Sequence, residues 1–121
     1  MSGLFNNTFN VSEPELEDFA AMKLKSATSN ISKKDYYDLF ELLNVYTFVE
    51  LIGFHSKNYP NYDLAGTLKS LSDFKTVELE DKESEILGLE SWDIVKNRMS
   101  TEIKNYIRML QQERINAEKK G

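Results

Sequence analysis

Between Asp35 and Ile52 the chain is largely apolar, except that polar residues fall at 35, 38, 41, 44, 47 and 50, a strict spacing of three. On a helix, that spacing drifts slowly around the axis and leaves one narrow wet stripe with apolar surface on most other sides. Such a helix needs cover from several neighbours. The run therefore predicts the central element of a helical fold. Ser32 is its cap, Asp35 sits at the third helical position, Ile31 and Tyr36 form a hydrophobic staple, and Gly53 lies near its end.

The same start signal occurs earlier. Ser12 followed by Glu15 reads as a capping box, with Pro14 in the tolerant first turn and Val11 and Leu16 placed as a staple. The acidic first turn suits the positive end of the helix dipole. Leu16, Phe19, Ala20 and Leu24 supply an apolar face, and the helix should fade between Ser26 and Asn30. Residues 53–63 read as the main loop, with Pro60 and two Asn inside it. Asp63 is placed to cap a short helix carrying Leu64, Leu68 and Leu71, whereas Phe74 to Leu79 alternates loosely and reads as a short extended segment. An acidic connector at 78–85 leads to a last helix from Ser91 to about Lys119. Its seam of Met99, Ile103, Tyr106 and Leu110 is widened by Trp92, Val95 and Ile107. The seam turns polar after about two heptads, too few for a coiled coil, so the helix is expected to project past the core.

Residues 1–11 form a polar arm studded with Leu4, Phe5, Phe9 and Val11, and Gly3 with Asn6-Asn7-Thr8 argues against helix there. Apolar groups of this size need cover, either on the chain's own core or on a neighbour. The expected fold class is all-α: a small bundle of three to five helices within one domain, 1–121. It has an extended N-terminal arm, 1–11, and a long C-terminal helix, 91–121.

At 121 residues one core is expected. There is no cysteine, so disulfides, thiolate nucleophiles and Cys-ligated metals are excluded. No leader and no run able to span a bilayer is visible, which points to the cytoplasm and away from the membrane. Residues 1–90 carry 8 Lys against 16 Asp and Glu, whereas residues 91–121 carry 7 Lys and Arg against 4 acids. Lys outnumbers Arg 12 to 3, a bias common in AT-rich genomes, phage and mobile elements among them.

Candidate chemistry is sparse. His55 is the one histidine, and no nucleophile-elbow turn accompanies it, so no catalytic residue is assigned; it reads as a hydrogen-bonded structural or a solvated side chain. Asp35, Asp38 and Glu41 share a helical face, with Glu50 two turns on. No Glu-x-x-His motif joins them, so they read as a solvated stripe, not a metal site. Five scattered glycines build neither a Walker-type loop nor a dinucleotide fingerprint, and no cofactor is expected. The remaining expectation is a non-enzymatic protein-interaction or assembly module, an adaptor or a phage-type accessory protein, with a protein partner or a second copy of itself. Its contact residues would be Leu4, Phe5 and Phe9 on the arm and Ile103, Tyr106 and Leu110 on the last helix. The alternative is a nucleic-acid-binding regulator using Lys104 and Arg108, with Lys96, Arg98, Arg114, Lys119 and Lys120 on the same helix. Interleaved Asp93, Glu102, Glu113 and Glu118 weigh against it by repelling phosphate and pairing internally.

Overall fold

The computed structural model describes residues 12–29, 32–80 and 90–120. Among these described residues six helices follow one another: α1 Glu13–Ser29, α2 Lys33–Leu42, α3 Phe48–Asn58, α4 Leu64–Leu71, α5 Phe74–Glu80 and α6 Trp92–Lys120. No strand occurs among the described residues. The class is all-α as expected, with one helix more than the upper end of the expected range.

The extra helices come from two places where local capping chemistry overrides the reading by pattern. The run from Asp35 to Ile52 is two helices, separated by a turn at 43–46. Thr47 starts α3 with a complete capping box: its hydroxyl accepts the Glu50 N–H at 3.1 Å, and the Glu50 carboxylate accepts the Thr47 N–H at 2.9 Å. The distance from an N-cap to the third helical position is itself three residues. Two of the polar positions that looked like a wet stripe are therefore a helix start. Gly53 consequently lies inside α3, and the loop is confined to residues 59–63.

The segment expected to be extended is helix α5. Asp73 accepts the Thr76 N–H at 3.2 Å and its hydroxyl at 2.6 Å, a cap that turns the chain before a strand can form. Phe74 and Val77, one turn apart, are then buried together. Part of the acidic connector thus belongs to α5, and residues 81–85 lie outside the described residues.

At the other starts the capping logic holds. Ser32 accepts the Asp35 N–H at 3.3 Å, and Ser91 accepts the Ile94 N–H at 3.4 Å. Ser12 accepts the Glu15 N–H at 3.4 Å and donates to the Glu15 carboxylate at 2.7 Å. The staple partners Val11 and Ile31 fall outside the described residues. Asp63 has the extended backbone of an N-cap but makes no side-chain cap bond.

In the core, α1 presents Leu16, Ala20, Leu24 and Ala27 to α3, and the small alanines let the two helix backbones approach closely. Both α2 and α3 also pack on α6, which contributes Val95, Met99 and Ile103. The pair α2–α3 therefore lies between α1 and α6, where a single central helix was expected. An aromatic cluster of Tyr36, Phe74 and Trp92 joins α2, α5 and the start of α6, with ring centroids 5.5 to 6.3 Å apart. Its polar edges are satisfied: Trp92 Nε1 donates to Glu78 at 2.7 Å, and Lys96 pairs with the same carboxylate at 3.0 Å. These two bonds hold the Glu78 carboxyl below its ordinary range.

No described helix is long and apolar enough to cross a membrane.

Candidate interaction surface

Helix α6 spans 29 residues, but only its first two thirds, as far as Leu110, is anchored among the described residues. Val95, Met99 and Ile103 are buried, Tyr106 stacks edge-on against Phe48 at 5.5 Å, and Leu110 is the last half-buried side chain. From Gln111 to Lys119 every residue is exposed. At 1.5 Å per residue those nine residues carry the helix about 13 Å beyond the body. The projection expected from the fading seam is present.

At the root of the projecting segment, α4 and α6 enclose an open groove of 380 Å³. Leu64, Ala65, Leu68, Ile107 and Leu110 form its walls, with Lys69 and Ser72 as polar members. Ile107 is 37% exposed and Ile115, two turns further along α6, is 45% exposed. Neither was among the expected contact residues, because neither is one of the seam residues Met99, Ile103, Tyr106 and Leu110. The signal that would have found them is an isoleucine recurring outside that seam in an otherwise polar helix.

The expected contact residues part company. Leu4, Phe5 and Phe9 lie outside the described residues. Ile103 is 2% exposed and belongs to the chain's own core, so it is not part of the surface. Tyr106 and Leu110 are half-buried, Tyr106 spent on Phe48 and Leu110 lining the groove. Lys104 and Arg108 are exposed one turn apart, and among the described residues neither meets a carboxylate; Arg108 donates to Asn105 at 3.5 Å. Other cations on the helix are engaged within the chain: Arg98 with Glu102 at 2.9 Å, Arg114 with Glu118 at 4.0 Å, and Lys96 with Glu78. The Arg98 and Arg114 pairs are the i,i+4 neutralisation the sequence implied, whereas Lys96 reaches across to α5.

The carboxylates of α2 are not a solvated stripe. Asp35 is 7% exposed, and Lys23 of α1 reaches it at 3.2 Å and Asp38 at 2.8 Å. Burial works against the Lys23 charge, but the bonds to Asp38 and Asp35 outweigh it and raise its pKa. Glu41 faces solvent. Among the described residues no group of three or more His, Asp or Glu side chains gathers as metal ligands would.

His55 also departs from expectation, being neither solvated nor hydrogen-bonded. It is 1% exposed, and neither ring nitrogen has a hydrogen-bond partner among the described residues. Tyr59 lies 5.1 Å from its ring and Tyr62 packs edge-on at 4.7 Å. Burial, and then the Lys25 charge, push its pKa below 6.5 and keep the imidazole neutral. A recess of 260 Å³ beside it is lined by Lys25, Asp63, Thr67 and Ser70 among others. Among the described residues no carboxylate or hydroxyl is hydrogen-bonded to the ring.

Compared with known proteins, the chain matches no family model, and no curated protein or solved structure is similar to it.

Proposed function

We propose that this protein is a non-enzymatic interaction module of the cytoplasm, an adaptor or assembly component whose working element is the distal third of α6 together with the α4–α6 groove. The observation that carries this reading is a helix whose residues 111–119 are exposed on every side, rooted beside a groove walled by leucine, isoleucine and alanine. An end segment of nine residues with no tertiary cover from the described residues is marginal in water by itself. Covering it with a partner's amphipathic helix, laid along α6 with its apolar edge in the groove, would stabilise both.

Ala65→Arg tests this. The side chain is exposed at the groove wall, so an arginine there blocks the groove without opening the core. In affinity capture from native lysate treated with nuclease, the wild-type chain should retain a stoichiometric protein partner that Ala65→Arg loses. Equal capture by both chains, or no capture by either from a chain that is also monomeric, sinks the reading.

A second reading rests on Lys104 and Arg108, which are exposed and meet no carboxylate among the described residues. Under it, capture is abolished by nuclease, and binding to a nucleic-acid probe falls steeply with added salt.

A further inference from the structure

We infer that the partner of the projecting helix is a second copy of this chain, lying antiparallel to the first and centred on Gln111. This deepens the interaction reading above and rests on it.

With 100° per residue, Lys104, Ile107, Gln111, Ile115 and Glu118 fall within about 40° of the Gln111 direction and make one stripe along α6. Every member is exposed. The centre of the stripe lies about 160° round the helix from Val95, 120° from Met99 and 80° from Ile103, and its members are exposed, so a partner can reach it without opening the core.

The stripe is complementary to itself read backwards. In an antiparallel pair centred on Gln111, residues whose numbers lie equally far above and below 111 meet at one height. Lys104 then stands level with Glu118 of the second copy, Ile107 with Ile115, and Gln111 with Gln111. A two-fold axis repeats each unlike pairing, so two opposite-charge pairs and two isoleucine pairs form from one short stripe. A parallel arrangement in register would set Lys104 against Lys104 and Glu118 against Glu118, so charge selects the antiparallel orientation. Arg108 and Arg114 also share a height but lie on opposite edges of the stripe, about 60° to either side of Gln111, which keeps them apart. The Arg114–Glu118 contact within the chain is loose, at 4.0 Å with both side chains largely exposed, so Glu118 remains available to Lys104 of the second copy. A polar residue at the centre of an otherwise apolar and charged seam favours one register, because only there do the two amides meet.

The test is sedimentation equilibrium on the full chain from low to high micromolar concentration, comparing wild type, Lys104→Glu, Glu118→Lys and the double exchange. All altered positions are exposed, and circular dichroism verifies that each variant stays helical. The wild type should dimerise. Each single exchange should weaken the dimer by roughly tenfold or more through like-charge juxtaposition, and the double exchange should restore it. A second readout uses the absence of cysteine from the chain. Gln111→Cys should oxidise readily to a covalent dimer, because the two-fold sets that position against itself, whereas Asn105→Cys, exposed and about 120° around the helix, should not.

A wild-type chain that is monomeric throughout overturns the pairing, as does a dimer indifferent to both single exchanges. A monomer that still captures a partner sensitive to Ala65→Arg removes the self-pairing and leaves the interaction reading standing. A dimer that follows the charge exchanges while nothing else is captured supports the pairing and removes the groove as a docking site.

Discussion

The hydroxyl of Tyr36 donates to the backbone carbonyl of Leu71 at 2.9 Å, joining α2 to the end of α4 across 35 residues of sequence. Tyr36 is fully buried, and burial, with Asp73 and Asp35 nearby, pushes its pKa well above the ordinary tyrosine value. The hydroxyl is therefore a neutral donor at every physiological pH. Tyr36→Phe keeps the aromatic cluster but leaves the carbonyl without this donor. It should cost about 1–3 kcal/mol in denaturant unfolding. An unchanged unfolding midpoint would mean that the bond contributes nothing net.

Lys23 is the counter-charge for two carboxylates at once. Lys23→Met should strand Asp35 in a nearly dry site and cost about 3 kcal/mol. Adding Asp35→Asn to that variant should recover part of the loss, because no buried charge then lacks its partner. Since the folded-state pKa of Lys23 is raised, its contribution is complete below the unfolded value near 10.4 and is lost only as pH rises beyond it. Additive effects of the two substitutions would show that the residues are not coupled.

His55 predicts acid lability. Its folded-state pKa lies below the unfolded value of about 6.5, so the unfolded chain takes up the proton first. Stability is therefore unaffected above about pH 6.5 and falls as pH drops below it, by at most ~1.4 kcal/mol per pH unit. His55→Phe, which keeps a ring between Tyr59 and Tyr62, should remove that slope between pH 6.5 and 5. Parallel stability curves for the two proteins would contradict the buried neutral imidazole.

Ending the chain after Leu110 removes only side chains that face solvent or lie outside the described residues. At concentrations where the full chain is monomeric, thermal unfolding of the shortened chain should match it to within about 0.5 kcal/mol. Its self-association should disappear. A large drop in melting temperature without loss of association would reverse the division of α6 into an anchored segment and a projecting segment.

Much of this architecture could be read from residue order alone, because the forces involved are local. Capping needs only a hydroxyl or carboxylate three residues before a backbone N–H, so the starts at Ser12, Ser32 and Ser91 and the long last helix were legible. The absence of cysteine excluded a whole chemistry without any fold. Even the two misread segments carried their own signals, Thr47 with Glu50 and Asp73 with Thr76, masked by a coarser periodicity over the same residues. What only the tertiary structure decided is which face of each helix meets another. Asp35 looks like a solvated carboxylate until Lys23, twelve residues earlier, is packed against it. Ile103 and Ile107 sit one turn apart in the same helix, yet one is core and the other is groove wall. The difference lies in where α4 ends up, and that is set by long-range burial, which no local pattern of residues encodes.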